Sequence, residues 1–287
     1  MTETLKTLLS NGRQRLEESS QSPRLDAEVL LGFVLEAGRA SIYANSERAI
    51  TQQQATRYEQ LISERSKGRP VAHLTGQREF WSLALRVNEH VLVPRPETEL
   101  LVERALAHIP AGGPQTVLDL GTGSGAIATA LAVERPQINL LATDASDQAL
   151  TLAAQNAAIH CPNRIGFALG DWYKALPAGQ TCFDLIVSNP PYISPDEVEL
   201  TDVELRYEPQ EALYSGDDGL DAIRTIIKGA PSRLNNKGWL LLEHGFTQTE
   251  NIAGLFSEAG FSDIQSYHDL AGLPRMTEGR MLQPTCT

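Results

Sequence analysis

Apolar residues in the first 70 or so positions recur at the three- and four-residue intervals of amphipathic helices. Ser22 followed by Pro23 is typical of a helix N-cap and first turn, and Gly68 before Pro70 is typical of a helix end. The pattern predicts a small helical domain over residues 1–75. Its helices are indicated by the series Leu5, Leu8, Leu9 and Leu16, by Leu25, Val29, Leu30 and Phe33, and by Ala55, Tyr58, Leu61 and Ile62.

The hydrophobic pattern changes after this domain. Between Phe80 and Val93, short aromatic and β-branched runs flank Asn88 and Glu89. Runs of this kind around polar turn residues predict a β-hairpin. We therefore expect residues 76–93 to form a hairpin linker between two domains.

The segment Pro94–Glu99 has the sequence Pro-Arg-Pro-Glu-Thr-Glu. Proline and acidic residues are favourable at a helix N-terminus, so the segment predicts a helix that continues through Leu101 and Leu106. A second interpretation is a rigid segment that holds Arg95 and Glu97 beside an active site. The sequence alone leaves both interpretations open.

Short apolar runs alternate with longer stretches after Gly113, over a second domain that we place at residues 94–287. The stretches between the runs are mostly long enough for a crossover helix, which predicts parallel strands in an α/β, doubly wound sheet. Such a sheet binds its ligands at the carboxyl ends of its strands. The predicted strands are Val117–Leu120, Leu140–Thr143, Ile165–Leu169, Leu185–Ser188 and Trp239–Glu243, with edge strands at Phe261–His268 and Met276–Leu282.

Charge is distributed unevenly along the chain. The formal net charge is -12, yet residues 1–75 carry ten lysines and arginines against nine acidic residues, so the excess of acid lies in the second domain. Non-specific binding of nucleic acid depends on clustered lysine and arginine. We therefore expect no direct nucleic-acid binding, although the helical domain remains able to meet an anionic partner.

Neither a metal site nor a membrane segment is predicted. Cys161, Cys182 and Cys286 are few and widely spaced, and the six histidines show no ligand spacing such as His-Glu-x-x-His. We expect the cysteines to be free thiols. No uncharged apolar run approaches the roughly 18 residues of a membrane span, so a cytoplasmic location is the expectation.

A glycine-rich turn follows the first strand of the second domain. Gly121, Thr122, Gly123, Ser124 and Gly125 lead from that strand into an alanine-rich helix. Glycines let a backbone approach a ligand closely, and the free N–H groups of a helix N-terminus attract a carboxylate or phosphate. The turn predicts a cofactor site, but it also satisfies the dinucleotide pattern G-x-G-x-x-A, so a nicotinamide cofactor stays open.

Polar residues end the next two strands. Asp144 follows the second strand, where a carboxylate can accept hydrogen bonds from both hydroxyls of a ribose. Asp171 and Trp172 follow the third strand, and we expect the aspartate to receive an adenine amino group and the indole to cover the adenine face. Together these strand ends predict an adenosine site.

The sequence Asn189-Pro190-Pro191-Tyr192 comes directly after the fourth strand. Two prolines stiffen the turn, and the Asn189 amide supplies an oriented acceptor. If a planar NH2 group donates to the Asn189 side-chain oxygen and the Pro190 carbonyl, its lone pair is aimed at an electrophilic methyl group. We therefore predict catalytic roles for Asn189, Pro190 and Tyr192, with Tyr192 stacked on the substrate and Pro191 completing the substrate site.

With these motifs the chain resembles the N5-glutamine methyltransferases that modify peptide chain release factors, the PrmC or HemK family. The glycine turn and the Asn-Pro-Pro-Tyr sequence are shared with many amino-methyltransferases. Their combination with the helical N-terminal segment and the Pro-Arg-Pro block is specific to this group. The similarity extends over nearly the whole chain. It includes Ser22–Glu28, Pro70–His73, Gly76, Phe80–Trp81, Pro94–Glu99, Asp119–Gly125, Asn189–Tyr192, Tyr207–Pro209 and Gly216–Leu220.

The resemblance implies a doubly wound, mostly parallel class I methyltransferase sheet, with S-adenosylmethionine as the methyl donor. It implies transfer of the methyl group to N5 of the glutamine in the Gly-Gly-Gln motif of class 1 peptide chain release factors, docked partly by the helical domain. The cofactor contacts that it implies are Gly121–Gly125, Asp144, Trp172 and Asn189, and the acceptor glutamine is held by Asn189–Tyr192.

Three other functions are rivals to this one. A nucleic-acid methyltransferase acting on adenine, cytosine or guanine would use the same planar N–H geometry, but the second domain is acidic. A nicotinamide-dependent oxidoreductase would explain the glycine turn and Asp144 while leaving Asn189–Tyr192 without a role. A binding module without activity is favoured by no feature, because every expected motif residue is present.

Overall fold

The computed structural model describes residues 4–176, 182–195 and 203–282. The chain divides into two compact units. The first is the N-terminal part up to Gln77 together with Val203–Tyr207, and the second comprises the remaining described residues from Arg78 onward. Cys286 lies outside the described residues.

The first unit is helical, as the apolar spacing predicts. A hydrophobic core that includes Leu8, Leu30 and Ile62 joins its helices. Thr51 begins the fourth helix with a reciprocal capping box, since its hydroxyl accepts from the Gln54 N–H and the Gln54 side chain accepts from the Thr51 N–H. The helices are α1 (Leu5–Leu16), α2 (Pro23–Leu35), α3 (Arg39–Ala44), α4 (Gln52–Arg65) and α5 (Val71–Thr75).

A buried arginine binds the late segment Val203–Tyr207 to this unit. Arg65 is only 4% exposed, and its guanidinium lies 2.6 Å from Asp26 and 2.6 Å from Glu204. Two carboxylates on one guanidinium offset the cost of burying its charge. The Tyr207 hydroxyl also donates to the Lys67 carbonyl over 3.2 Å.

The β-hairpin lies earlier in the chain than the sequence indicated. Its strands are β1 (Gln77–Phe80) and β2 (Leu83–Arg86), with the turn at Trp81 and Ser82 rather than at Asn88 and Glu89. Both turn residues have positive φ, 52° and 58°, which is the geometry of a type I′ turn. Type I′ turns usually contain asparagine, aspartate or glycine, and neither tryptophan nor serine indicates one. The hairpin position predicted from the sequence is therefore wrong.

The second unit is built on a seven-stranded sheet in the order β5-β4-β3-β6-β7-β9-β8. β3 to β7 are parallel, and β9 runs antiparallel between β7 and β8. The order reverses between β3 and β6, which is the position where a doubly wound sheet binds ligands. The strands are β3 (Thr116–Leu120), β4 (Asn139–Asp144), β5 (Ile165–Leu169), β6 (Phe183–Ser188), β7 (Leu234–Glu243), β8 (Phe261–His268) and β9 (Pro274–Met281).

Both faces of this sheet are covered. Val117 packs into one hydrophobic cluster with α6 and α7, whereas its neighbour Leu118 packs into the other with α9 and α10. The two-residue period of strands makes alternate residues serve opposite faces, so the predicted doubly wound architecture is confirmed. The helices are α6 (Glu99–His108), α7 (Ala126–Glu134), α8 (Asp147–His160), α9 (Asp221–Gly229) and α10 (Thr249–Glu258).

The cysteines are not all free. Cys161 is a buried free thiol, whereas Cys182 is disulfide-bonded, so the expectation of free thiols is wrong for Cys182. None of the helices in the described part of the chain combines the length and apolar character that a bilayer crossing requires.

Candidate active site

A cavity of about 840 Å³ opens at the carboxyl ends of β3, β4, β5 and β6 within the second unit. Residues from all four strand ends line it, as the doubly wound fold predicts. The predicted site residues that line it are Gly121, Thr122, Gly123, Ser124, Asp144, Asp171, Trp172, Asn189 and Pro191.

The glycine turn depends on backbone conformations that side chains resist. Gly121, Gly123 and Gly125 have φ of +69°, +56° and +78°. A Cβ on Gly123 would point into open space, which leaves the backbone there accessible to a ligand. A Cβ on Gly125 would lie 3.0 Å from the Ala153 Cβ, so Gly125 serves the packing of α7 on α8. Gly125 itself does not line the cavity.

Asp119 is hydrogen-bonded to the glycine turn from the last part of β3. Its side chain is fully buried, and one oxygen accepts a 2.6 Å hydrogen bond from the Thr122 hydroxyl. Burial and, to a smaller extent, the neighbouring Asp144 charge raise the pKa of Asp119 to about 7, while the bond from Thr122 opposes the shift. The other oxygen, Oδ1, has no hydrogen-bond partner among the described residues.

Two backbone N–H groups fix the orientation of the Asp144 side chain. Its carboxylate accepts from the Gly123 N–H over 2.8 Å and from the Ser146 N–H over 2.9 Å. Burial raises the pKa of Asp144, and these backbone donors oppose the shift. Each carboxylate oxygen retains a lone pair, so the group can still accept from the hydroxyls of a ligand.

Asp171 and Trp172 differ in how firmly the structure holds them. The Asp171 side chain is 56% exposed and forms an ion pair of 2.7 Å with Lys174. Trp172 is partly buried, and its ring lies against Gly121, where an added Cβ would come within 3.3 Å of it. An indole wall beside the glycine turn is suited to the flat face of an adenine.

The Asn-Pro-Pro-Tyr turn follows β6, and two of its members line the cavity. Asn189 and Pro191 face it, whereas Pro190 and Tyr192 are absent from its wall. The Asn189 Nδ2 donates to the Thr98 hydroxyl over 3.2 Å. The predicted stacking role of Tyr192 stays a prediction.

Tyr192 lies behind the turn. Its hydroxyl is 3.5 Å from Glu243, and burial raises the pKa of the phenol above its ordinary value. Its carbonyl accepts from Gln248 over 2.9 Å, and a Cβ on Gly219 would lie 2.3 Å from that oxygen. Gly219, with φ of +76°, therefore lets a second loop close against the turn.

The Pro-Arg-Pro segment is fixed by a buried carboxylate. Glu208 accepts from Arg95 over 2.5 Å and from the Val93 N–H over 3.2 Å. Pro94 and Thr98, on either side of this contact, line the cavity. The helix predicted at Pro94–Glu99 begins as a 3-10 turn at Pro96–Thr98, so the segment is both a helix start and a cavity wall.

Sequence reasoning missed three polar residues near the site. Asn156 binds the glycine turn, since its Nδ2 donates to the Ser124 carbonyl over 2.8 Å. Thr98 and Glu243 contact the Asn-Pro-Pro-Tyr turn. Only Thr98 belongs to a motif that the sequence analysis singled out, the Pro-Arg-Pro block. Asn156 lies within a helix and Glu243 at a strand end, and no sequence motif marks either of them.

The donor set of the cavity suits a nucleoside with a polar tail. It offers a carboxylate at Asp144, an indole at Trp172, and an open backbone at Gly123. Among the described residues no group of three or more histidine, cysteine or acidic side chains is placed to hold a metal ion. These residues fit S-adenosylmethionine, which when bound supplies an electrophilic methyl group.

Comparison with known proteins agrees with this geometry. Residues 7–76 match the PrmC N-terminal domain, and residues 96–206 match the methyltransferase small domain. Release factor glutamine methyltransferase of Coxiella burnetii (strain RSA 493 / Nine Mile phase I) is 46% identical over 277 residues, which is 96% of this chain and 99% of that protein. The chain belongs to the release factor glutamine methyltransferase family.

A second member of this family shows the same extent of similarity. Release factor glutamine methyltransferase of Escherichia coli (strain K12) is 45% identical over 266 residues, 93% of this chain and 95% of that protein. Among solved structures, a methyltransferase from Pyrococcus furiosus has a TM-score of 0.53 and 18% identity, covering 70% of this chain and 89% of that one. That likeness shows the fold. The chain is a methyltransferase, and its methyl donor is S-adenosylmethionine.

Proposed function

We propose that this chain transfers a methyl group from S-adenosylmethionine to the side-chain amide nitrogen, N5, of the glutamine in the Gly-Gly-Gln motif of class 1 peptide chain release factors. Membership of the release factor glutamine methyltransferase family supports the reaction and the kind of substrate. The release factor is the protein partner, and no direct binding to nucleic acid is part of the proposal. A cytoplasmic location is proposed with it.

One observation supports the assignment of Asn189 to the active site. Asn189 lies in the same cavity wall as Asp144 and the open backbone of Gly123, with its Nδ2 bound to Thr98. Its Oδ1 is then the atom available as an acceptor. An amide NH2 group that donates to this oxygen presents its nitrogen toward the part of the cavity where the cofactor binds.

The remaining predicted roles follow from this arrangement. We assign Asp144 to the ribose, Trp172 and Asp171 to the adenine, and Gly121–Gly125 to the polar tail. The Pro190 carbonyl accepts the second N–H of the acceptor amide. A glutamine amide is a poor nucleophile because its lone pair is delocalised, so fixing both N–H groups is the main contribution of these residues.

The test uses purified wild-type protein with radiolabelled S-adenosylmethionine. We expect label in a class 1 release factor and none in the same factor whose Gly-Gly-Gln glutamine is alanine. Label in added RNA or DNA instead of the release factor would reject the proposal in favour of a nucleic-acid methyltransferase.

A substitution of Asn189 tests its assignment to the active site. Asn189→Ala should lower the single-turnover rate by about 100-fold or more, the scale seen when one oriented polar group is removed from an active site, while the cofactor still binds. Asn139→Ala is the matched control, because Asn139 is exposed and begins β4 at the opposite end of that strand. A normal rate for Asn189→Ala would remove Asn189 from the mechanism.

A further inference from the structure

Three large apolar side chains are exposed to water beside the Asn-Pro-Pro-Tyr turn. Phe246 is 51% exposed, Leu273 is 38% exposed, and Leu270 is fully exposed. We propose that these three residues, which we call the apolar rim, bind apolar side chains of the release factor close to its acceptor glutamine. This inference rests on the proposed function and adds to it the surface that holds the protein substrate.

The apolar rim lies at the same edge of the sheet as the cavity. β7 is the neighbour of β6 and parallel to it, so Phe246, which follows the end of β7, lies beside the turn that follows β6. Glu243 at the end of β7 pairs with Met276 of the antiparallel β9. This pairing places the loop that precedes β9, with Leu270 and Leu273, at that edge too.

The cavity leaves this half of the edge open. Its walls come from the ends of β3, β4, β5 and β6 and from loops of the second unit, and no residue of β7, β8 or β9 lines it. The cofactor, as assigned above, lies against the ends of β3, β4 and β5. A protein that brings its glutamine to Asn189 therefore has the side of β7 and β9 available for contact, and the apolar rim lies there.

Hydrogen bonds join the loop of Phe246 to the Asn-Pro-Pro-Tyr turn. Gln248 Oε1 accepts from the Gly245 N–H over 3.0 Å, and its Nε2 donates to the Tyr192 carbonyl over 2.9 Å. A Cβ on Gly245 would lie only 3.7 Å from the Tyr192 ring. Phe246 is thus the next residue after one that packs against the turn, which keeps it close to a polypeptide whose glutamine reaches Asn189.

Asp269 fixes the loop that carries the two leucines. Its carboxylate accepts from the N–H groups of Ala271 and Leu273, each over 2.9 Å, and its own N–H donates to the Leu273 carbonyl over 2.8 Å. The carboxylate also accepts from Arg275 Nε over 2.9 Å. Leu270 is therefore held in water by a loop that is already ordered, so that covering it removes apolar area from water at little cost in backbone entropy.

The charges around the apolar rim favour a polypeptide over a nucleic acid. The Arg275 guanidinium lies 5.9 Å from the centre of the Phe246 ring, and it links the two segments of the rim. Its charge is already paired with Asp269 over 2.9 Å. Phosphate groups are bound by clustered lysine and arginine, whereas apolar side chains of a protein need no free cation.

The experiment replaces residues of the apolar rim singly in the full-length protein. Leu270→Ser and Phe246→Ser each remove apolar contact area outside the cavity. The KM for the release factor should therefore rise by about 10-fold in each variant, the scale for the loss of one large apolar side chain from an interface. Because the groups around the acceptor amide are unchanged, kcat and the dissociation constant for S-adenosylmethionine should stay within about twofold of wild type.

The matched control is Ile159→Ser. Ile159 is 52% exposed, like Phe246, but it lies in the last turn of α8, whose first residue, Asp147, lines the cavity. It is therefore at the opposite edge of the sheet, and we expect a wild-type KM. The inference is rejected if Leu270→Ser or Phe246→Ser keeps the wild-type KM, or if Ile159→Ser raises it equally.

Sedimentation velocity gives a second readout, because a second copy of this chain is the other candidate to cover the apolar rim. A wild-type dimer that Leu270→Ser converts to monomers would reject the inference in favour of self-association. An equal sedimentation coefficient for both proteins, together with the raised KM, would support it. Failure of wild-type protein to label the release factor would instead reject the proposed function.

Discussion

The Asn156 side chain lies between the glycine turn and the hairpin, with its Nδ2 donating to the Ser124 carbonyl over 2.8 Å. The same amide also exchanges hydrogen bonds with the backbone N–H and carbonyl of Arg86, at 2.8 and 3.0 Å. Asn156 itself is fully buried. One side chain therefore fixes both β2 and the cofactor turn.

Asn156→Ala should lower the free energy of unfolding by about 2 kcal/mol, because it leaves the buried Ser124 carbonyl and two partly buried backbone groups of Arg86 without this partner. Chemical denaturation followed by circular dichroism measures the change. The neighbouring Gln155→Ala is the control, since Gln155 is exposed and should change stability by less than about 0.5 kcal/mol. Equal stability of the two variants would show that the Asn156 hydrogen bonds make no net contribution to the free energy of unfolding.

Gly125→Ala should destabilise the second unit by about 2 to 3 kcal/mol. The substitution forces alanine into φ of +78° and brings its Cβ to 3.0 Å from the Ala153 Cβ. Gly254→Ala is the matched control within α10, where an added Cβ meets no atom within 4 Å. Because alanine has the higher helix propensity, Gly254→Ala should stabilise the protein by up to about 1 kcal/mol, and the same sign for both variants would contradict the prediction.

Trp172→Ala should weaken the binding of S-adenosylmethionine by about 10-fold, since an aromatic contact contributes about 1 kcal/mol beyond the area that it buries. Trp172→Phe retains a ring beside Gly121 and should stay within about threefold of wild type. Isothermal titration calorimetry measures both dissociation constants. Unchanged affinity in Trp172→Ala would place the adenine elsewhere in the cavity.

Asp119 makes stability depend on pH in a defined direction. Its pKa in the folded protein is about 7, raised from 3.8, so the folded state binds more protons than the unfolded state between these values. Stability contributed by the protonated carboxyl is thus complete below pH 4 and declines as the pH rises to 7, by at most about 1.4 kcal/mol per unit.

Asp119→Asn removes this dependence while keeping an oxygen for the Thr122 hydroxyl. The stability of wild type relative to Asp119→Asn is the difference between their free energies of unfolding. This difference should therefore fall between pH 4 and pH 7 and stay constant above pH 7. Urea denaturation at a series of pH values measures the difference. A difference that rises with pH would mean that the folded protein stabilises the charged carboxylate.

The features that sequence predicted well depend on local pattern. β3 and β6 are mostly apolar because both of their faces are buried, and such runs are visible without a structure. Gly121 and Asn189 were placed correctly at the cavity because each follows directly on one of these strands, and parallel strands bring their carboxyl ends to one edge.

The features that sequence did not predict depend on contacts between distant segments. Thr98 and Asn189 are 91 positions apart in the chain and meet through one hydrogen bond, so no spacing rule connects them. The hairpin was misplaced because Trp81 and Ser82 adopt positive φ without glycine or asparagine. The return of Val203–Tyr207 to the helical unit involves the Arg65–Glu204 ion pair and the hydrogen bond from the Tyr207 hydroxyl, contacts that no local pattern predicts.

The strand order of the sheet also limits the shape of any ligand in the cavity. Asp144 ends β4 and Asn189 follows β6, and β3 lies between them. Neighbouring strands are about 4.8 Å apart, so two spacings separate these residues by roughly 10 Å along the edge. A molecule that engages both must extend across the carboxyl end of β3, which leads into the glycine turn.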